Sequence, residues 1–251
     1  MGLTTILNIV FLNIIIWIAL SLFWSHWTYK IFKPYKWLET MKKKQINKNI
    51  ANIEKRTKDK NRFYAVWYLL QQIDENLVDG QFVMLGIENE ELATLIRSYN
   101  VDRNMIVISE FKAKNVEVKK ENCDGKVTIQ NIEIEHIEYE TFLKNMPNNE
   151  KIKVINNSIL SELDNINEPI CFATIDTINY EEVYNSLIKI YSLLNSGGAI
   201  IVHDYNHDWD SVKTAVDTFQ ASIPETFVAI PDMYGSVVLI KNKLNNLQQL
   251  N

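Results

Sequence analysis

The first 29 residues of the chain are almost entirely apolar and contain no Asp, Glu, Lys or Arg. The run "ILNIVFLNIIIWIALSLFW" comes close to the roughly 20 residues that a helix needs to cross a bilayer. Trp24, Trp27 and Tyr29 are typical of an aromatic belt at a membrane interface. We therefore predict a transmembrane helix over residues 1–29. A buried core helix is the alternative, whereas a cleaved signal peptide would have a basic start and a cleavage site.

From residue 63 onward, short apolar runs alternate with amphipathic stretches. The apolar runs predict strands: "GQFVMLGI", "NMIVIS", "KIKVIN", "ICFATI" and "AIIVHD". The amphipathic stretches predict helices: "FYAVWYLLQQI", "NEELATLIRSYN", "EYETFLKNM", "YEEVYNSLIKIYSLL" and "WDSVKTAVDTFQAS". Because strands alternate with helices, we expect an α/β fold with a mostly parallel, doubly wound sheet.

Two further patterns complete the predicted organisation. "TFVAI" and "YGSVVLIK" flank "PDM" and predict a terminal antiparallel hairpin. The polar stretch 112–135 predicts an insertion with a hairpin at "CDGK". A length of 251 residues allows one such core with appendages. We divide the chain into a transmembrane helix, a basic helical stalk, a folded domain and a polar tail, at residues 1–29, 30–62, 63–244 and 245–251.

Charge is distributed unevenly along the chain. Residues 30–62 contain 12 Lys and Arg and 3 Asp and Glu, a net charge of +9, whereas the rest of the chain carries −14. A basic segment beside a membrane helix indicates the cytoplasmic or matrix side and contact with anionic lipid. We expect a single-pass membrane protein whose acidic domain does not bind nucleic acid. Cys123 and Cys171 indicate neither a disulfide framework nor a zinc site, which fits a reducing compartment.

Three segments in the second half of the chain are more specific: "ATIDTINYEEVYNSL", "YSLLNSGGAIIVHDYNHDWDSVKTAVDTF" and "AIPDMYGSVVLIK". Together they resemble the macrocin O-methyltransferase family, of the TylF/MycF type, over about residues 78–241. The resemblance implies the class I methyltransferase fold, which is a Rossmann-like doubly wound sheet with a terminal antiparallel hairpin. It also implies S-adenosylmethionine as methyl donor and a divalent cation, usually magnesium, that binds the hydroxyl groups of the substrate.

The resemblance places the metal ligands of the family at Asp176, His203 and Asp204. His203 stands where the family has a carboxylate, and its nitrogen suits zinc, iron or nickel better than magnesium. The general base of the family falls on Ile178, which cannot accept a proton. His203, alone or with His207, is then the candidate catalytic base. Alternatively, these residues are inherited and take no part in chemistry.

On the donor side, the resemblance assigns cofactor binding to Gly86 and Glu110, which follow the first two predicted strands. Shifting the alignment by one residue would place Ser109 at the position of Glu110. The later glycines of the family's turn are replaced by Glu, Asn and Glu at residues 88–90. Side chains there would crowd a cofactor.

Coincident changes at the base, the metal pair and the glycine turn lead to two main hypotheses. The first, which we favour, is a degenerate methyltransferase fold that is anchored in a membrane and serves as a structural or accessory subunit beside other membrane-protein subunits. The second is an active, metal-assisted O-methyltransferase that acts on a membrane-associated saccharide, quinone or lipid. A nucleotide-binding module of another kind on the same sheet is a third hypothesis.

Overall fold

The computed structural model describes most of the chain: residues 2–31, 33–87, 90–111, 114–121, 127–134, 137–147, 149–206 and 210–242. The chain forms two compact units, Met1–Ile46 and Asn47–Asn251. The second unit contains the whole β-sheet and all of the residues to which the sequence assigns chemistry.

The described part of the first unit contains the helices α1 (Leu3–Ile31) and α2 (Tyr35–Lys42). Within α1, the segment Thr4–Ser25 has a mean hydropathy of 2.5 and is not buried. Its 22 residues extend about 33 Å, close to the thickness of a bilayer's hydrocarbon core. The helix is therefore long and apolar enough to cross a membrane, as predicted. A signal sequence would share these features, whereas the core helix of a soluble protein would be mostly buried.

The predicted stalk of residues 30–62 is not one continuous helix. It contains α2, then α3 (Lys48–Arg56), and finally the first residues of α4 (Lys60–Glu75). Lys44 has a φ of 56°, a left-handed conformation that interrupts the helical path after α2. The side chain of Asn47 then caps the start of α3.

Helix α3 belongs to the folded unit rather than to a linker. Its Ile50 and Ile53 side chains are buried, and the helix packs against α5 (Glu90–Tyr99). An amphipathic helix buries its apolar side on a neighbouring core. The boundary between the two compact units lies between residues 46 and 47, so α3 and α4 belong to the second unit.

The remaining elements of the second unit follow in chain order. The strands are β1 (Gln81–Leu85), β2 (Met105–Ser109), β3 (Lys114–Glu121), β4 (Val127–Ile134), β5 (Ile152–Asn156), β6 (Ile170–Ile175), β7 (Leu194–Val202), β8 (Val228–Ala229) and β9 (Val237–Ile240). The helices are α6 (Tyr139–Asn145), α7 (Ile159–Glu162), α8 (Tyr180–Leu193) and α9 (Asp210–Gln220). Short 3₁₀ turns occupy Asn149–Lys151 and Leu163–Asn165.

A seven-stranded sheet forms the centre of the second unit, in the order β5-β2-β1-β6-β7-β9-β8. The first five strands in this order are parallel. Strand β9 runs antiparallel to β7 and pairs with β8 in the terminal hairpin. This arrangement confirms the predicted doubly wound sheet with a terminal antiparallel hairpin.

Helices cover both faces of the sheet. On one face, Ile175 and Val202 belong to a buried cluster with Leu187 of α8 and Val216 of α9. Successive side chains of a strand point to opposite faces, so the neighbours of Ile175 and Val202 point to the other face. On that face, α4 packs against β6 and β7. Burial on both faces explains why a central strand such as β6 appears in the sequence as a continuous apolar run.

The polar insertion after β2 contains the predicted hairpin. Strands β3 and β4 pair antiparallel, from Lys114 opposite Ile134 to Glu121 opposite Val127. They form a separate two-stranded sheet. The turn "CDGK" itself lies outside the described residues.

The strand order reverses between β1 and β6, and folds of this kind bind ligands outside the carboxyl ends of the strands at such a reversal. Backbone hydrogen bonds hold these ends in one row. The amide of Asp176 donates to the carbonyl oxygen of Leu85 at 2.7 Å, and the amide of His203 donates to that of Ile175 at 3.0 Å. We call the row formed by Gly86, Asp176, His203 and Asp204 the carboxyl edge.

Gly86 is required where β1 meets β6. Its φ is 81°, and a Cβ atom at this position would lie 1.9 Å from the carbonyl oxygen of Asp176. Any side chain would therefore force the two strand ends apart. The need for glycine here follows from strand packing alone, without any cofactor.

We expect Gly86→Ala to lower the free energy of unfolding by more than about 3 kcal/mol, because backbone strain adds to overlap with the carbonyl of Asp176. Denaturant titration of the full chain in detergent measures the change. Gly197→Ala, at a φ of 85°, is the control for backbone strain alone. Equal destabilisation by the two substitutions would contradict the role of the strand contact.

Candidate functional site at the carboxyl edge

Polar side chains from distant parts of the chain converge at the carboxyl edge. We call this group the edge cluster: Asp59 and Arg62 at the start of α4, Asp176 after β6, His203 and Asp204 after β7, and Asp232 and Ser236 between β8 and β9. Asp176, His203 and Asp204 are the residues that the sequence predicts to lie together. The other four were not predicted to be part of a site.

The guanidinium of Arg62 is the centre of the edge cluster. Its Nε donates to Asp232 Oδ2 at 3.0 Å, and its Nη2 lies 3.6 Å from Asp204 Oδ1. The ring of Tyr234 lies 5.5 Å from the guanidinium carbon. Burial opposes the charge of Arg62, but the carboxylates of Asp176, Asp232 and Asp204 outweigh it and raise its pKa. Arg62 is therefore a buried cation surrounded by carboxylates.

Asp232 is the most deeply buried acidic partner of Arg62, with a side chain that is 0% exposed. It accepts hydrogen bonds from the amide of Ser236 at 2.7 Å and from the hydroxyl of the same residue. Burial opposes ionisation of Asp232. The hydrogen bonds from Ser236 and the charge of Arg62 outweigh burial and lower the pKa of Asp232, so its carboxylate is charged at neutral pH.

The start of α4 is joined to the loop between β8 and β9. Asp59 accepts a hydrogen bond from the amide of Arg62 at 3.0 Å, which caps the helix. Its second oxygen accepts from the amide of Met233 at 2.8 Å. The side chain of Asn61 donates to the carbonyl oxygen of Pro231 at 2.6 Å. These contacts fix Arg62 over the ends of β6 and β7.

His203 is buried, and its Nδ1 lies 3.1 Å from the Ser236 hydroxyl. Because that hydroxyl donates its hydrogen to Asp232, it accepts from His203, and Nδ1 is the protonated nitrogen of a neutral ring. The Nε2 atom is buried and has no hydrogen-bond partner among the described residues. Burial, together with the charge of Arg62, lowers the pKa of His203 to about 3.

The predicted metal set of Asp176, His203 and Asp204 does not form a metal site. In the described part of the chain, no three or more His, Cys, Asp or Glu side chains are arranged to hold a metal ion. The physical reason is the charge of Arg62, which lies where a cation would bind these carboxylates. His203 in addition directs one nitrogen to Ser236. The residues present therefore do not fit a magnesium ion.

The two residues predicted to bind the cofactor lie at the ends of β1 and β2. Gly86 already has a structural reason to be glycine. Glu110 is half-buried. The next residue, Phe111, packs its ring against Tyr139 and Phe142, with centroid distances of 5.1 and 5.3 Å. An aromatic cluster of the chain itself therefore lies beside the position predicted for the ribose contact.

The position predicted for the general base does not offer one. Ile178 is half-buried against the hydrophobic core. The hydroxyl of Ser211, at the start of α9, donates to its carbonyl oxygen at 2.7 Å. His207, the second member of the predicted acid–base pair, lies outside the described residues, as do Glu88 and Asn89 of the altered glycine turn.

Sequence reasoning missed Asp59, Arg62, Asp232 and Ser236. Asp59 has the local signature of a helix cap, and Arg62 is counted among the basic residues of the predicted stalk. Asp232 lies in "PDM", which is typical of a turn. Arg62 and Asp232 are 170 residues apart, so no local pattern connects them.

The chain is similar to solved structures of O-methyltransferases. The O-methyltransferase NovP has a TM-score of 0.59 and 18% identity, covering 73% of this chain and 81% of that one. The calicheamicin methyltransferase CalS11 has a TM-score of 0.53 and 14% identity, covering 70% and 77%. A putative caffeoyl-CoA O-methyltransferase from Staphylococcus aureus has a TM-score of 0.51 and 13% identity, covering 82% and 98%.

These likenesses confirm the predicted methyltransferase fold, and at such low identities they show the fold alone. No protein-family model and no curated protein sequence matches the chain. The narrower resemblance to the TylF/MycF type stays a prediction.

We expect the fold to lose stability as the pH falls from about 6.5 toward 3, because unfolded chains protonate His203 in this range and folded chains do not. The depressed pKa means that the unfolded state binds more protons, so stability increases with pH across this window. The contribution is at most about 1.4 kcal/mol per pH unit. Denaturant titrations in detergent at several pH values measure the slope.

His203→Gln is the matched variant for this measurement, since it removes the titrating ring and keeps a polar side chain. We expect the slope between pH 6.5 and 5 to decrease by the contribution of about one proton. A slope that His203→Gln leaves unchanged would contradict the burial of a neutral His203.

Proposed function

We propose that this chain is a membrane-anchored protein with a methyltransferase fold that does not transfer methyl groups and serves as an accessory subunit of a membrane assembly. The observation that carries the proposal is Arg62, whose guanidinium lies 3.0 Å from Asp232 and 3.6 Å from Asp204. Asp204 and Asp232, whose carboxylates could hold a cation at the strand ends, are instead paired with Arg62.

The chemistry of methyl transfer explains why a guanidinium cannot do the work of a metal ion here. The acceptor hydroxyl must be held in line with the donor, and its proton must be removed. A divalent cation binds the hydroxyl directly and lowers its pKa. A guanidinium only donates hydrogen bonds and has no coordination position to offer. Ile178 cannot replace the missing base, and a ring with the pKa of His203 is a poor base at neutral pH.

The apolar helix supports the anchoring and accessory parts of the proposal. Its segment Thr4–Ser25 is not buried, and large side chains are exposed along it, such as Trp17 at 74%. Such a surface can face lipid or pack against other membrane helices. The basic residues of segment 30–62 are expected to place the domain on the cytoplasmic or matrix side.

A second candidate is an active O-methyltransferase that acts on a membrane-associated saccharide, quinone or lipid. The likeness to NovP favours it, since that protein is named as an O-methyltransferase. S-adenosylmethionine would then contact Gly86 and Glu110 at the ends of β1 and β2. Arg62 would have to leave its carboxylates, or bind the acceptor itself, for the reaction to proceed.

Calorimetry of the full chain in detergent tests the proposal. We expect titration with S-adenosylmethionine and Mg²⁺ to give no metal-dependent heat, because Arg62 neutralises the carboxylates that a cation would need. Binding of the donor at about micromolar affinity together with Mg²⁺ would instead establish the enzyme hypothesis. Release of S-adenosylhomocysteine in the presence of extracted membrane lipids would do the same.

Arg62→Leu sharpens this test, because it removes the internal cation and leaves Asp204 and Asp232 to bind another one. We expect the variant to gain binding of Mn²⁺, measured by electron paramagnetic resonance. Arg103→Leu is the matched control, since Arg103 pairs with Asp74 at 3.1 Å outside the edge cluster. A folded Arg62→Leu variant that gains no Mn²⁺ affinity would show that Arg62 does not replace a cation. The titration of the unchanged chain decides the main proposal even if this variant does not fold.

We expect the intact chain to resist extraction of membranes with alkaline carbonate, because about 20 apolar residues anchor a helix stably in a bilayer. A chain that lacks residues 1–31 should be released by the same treatment. Mass spectrometry of the membrane-bound protein distinguishes an anchor from a signal sequence. A mass that lacks the apolar helix would contradict anchoring.

A further inference from the structure

A groove lies on the second unit, away from the edge cluster, with a volume of about 520 Å³. This volume is in the range of small-molecule sites, about 300–1,000 Å³. We call it the α3–α5 groove. Its lining residues are Asn49, Asn52, Ile53, Lys55 and Arg56 of α3, Thr94 and Ser98 of α5, and Asn145 and Pro147.

The α3–α5 groove is positively charged. Lys55 and Arg56 line it, and neither side chain forms an ion pair in the described part of the chain. No Asp or Glu is among the described lining residues. The neighbouring acid, Glu54, is buried and accepts a hydrogen bond from the hydroxyl of Tyr64 at 2.8 Å. A cationic groove on a part of the chain that is otherwise acidic favours an anionic ligand.

A buried guanidinium lies behind the groove, and the carboxylate of Asp102 offsets part of its charge. Arg97 of α5 is 0% exposed and donates to the carbonyl oxygen of Pro147, a lining residue, at 3.3 Å. It also donates to the carbonyl oxygens of Val101 and Arg103 at 2.8 and 2.7 Å. Arg97 thereby fixes the wall of the groove at Pro147 and places a cation behind it.

Ser98 gives an independent indication of a ligand. The residue lines the groove and is 5% exposed, and its buried hydroxyl has no hydrogen-bond partner in the described part of the chain. A buried hydroxyl without a partner costs free energy, and buried polar groups are almost always paired. By contrast, Thr94 on the same helix is satisfied by the carbonyl oxygen of Glu90 at 2.8 Å. The hydroxyl oxygen lies beneath the groove surface, and rotation of the Ser98 side chain toward the groove would let a polar ligand supply the partner that it lacks.

We propose that the α3–α5 groove binds a phosphate ester that carries hydroxyl groups. Lys55 and Arg56 would bind the phosphate, for which a lysine charge and the forked donors of arginine are suited. The amides of Asn49, Asn52 and Asn145 and the Ser98 hydroxyl would bind the hydroxyl-bearing part. The headgroup of an anionic phospholipid and a soluble phosphorylated metabolite share this chemistry. The site does not depend on whether the carboxyl edge is catalytic.

Glycerol 3-phosphate, titrated by calorimetry into the full chain in nanodiscs of phosphatidylcholine, tests the proposal. We expect saturable binding. Lys55→Gln combined with Arg56→Gln should weaken it about tenfold or more, because two charge-assisted contacts are lost. Lys42→Gln combined with Lys44→Gln removes the same charge from the basic segment outside the groove, and should change the affinity less than about twofold. Absence of binding, or equal weakening by both pairs, would overturn the proposal.

Ser98→Ala separates ligand binding from structure. We expect about threefold weaker binding, because one neutral hydrogen bond is lost. The same substitution should leave thermal stability unchanged or raise it, since it removes an unpaired buried hydroxyl. Unchanged affinity in this variant would show that Ser98 does not contact the ligand and would overturn the proposed site.

Loss of the calorimetric signal in nanodiscs that contain phosphatidylglycerol would identify the lipid headgroup as the natural ligand, and its retention would identify the soluble ester.

Discussion

The pairing of Arg62 with buried carboxylates determines what the carboxyl edge can do. A buried ion pair contributes little net stability, because removing both charges from water costs about as much as their attraction returns. Removing one partner is different, because an isolated buried charge costs about 3–5 kcal/mol. Arg62 and Asp232 therefore require each other once both are buried, with exposed side-chain fractions of 9% and 0%. This mutual requirement ties the start of α4 to the β8–β9 loop.

A covalently attached cation differs from a bound metal ion in what it offers a substrate. A metal ion exchanges ligands, so that an acceptor hydroxyl can enter its coordination shell. The donors of Arg62 are instead directed at oxygens of the protein, and its Nε already donates to Asp232. The neutral state of His203 follows first from its burial and second from the charge of Arg62, which together depress its pKa. Arg62 thus accounts for the misfit of a metal ion and adds to the effect of burial on the basicity of His203.

The sequence predicts the sheet well because central strands such as β6 are buried on both faces and appear as continuous apolar runs, here "ICFATI". The positions of Asp176 and Asp204 follow from the same pattern, since residues after neighbouring parallel strands meet at one edge. Arg62 could not be predicted, because its partner Asp232 is 170 residues away and its own segment is typical of a solvated basic stalk. The hydrogen bond of His203 could not be predicted for the same reason, because its partner Ser236 lies 33 residues away in another loop.

By charge alone, residues 30–62 form one basic segment. In the fold, parts of this segment belong to different helices and lie at different sites. Helix α3 buries Ile50 and Ile53 and leaves Lys55 and Arg56 at the α3–α5 groove. The first turn of α4 then carries Arg62 into the carboxyl edge. Lysines of a solvated stalk would interact with an anionic membrane wherever they lie along it. Lys55, Arg56 and Arg62 are instead carried by helices that pack on the core, and Arg62 is in addition buried and paired with Asp232. Cations that start from a rigid helix can recognise the shape of an anion as well as its charge, which is what a binding site requires and a stalk does not.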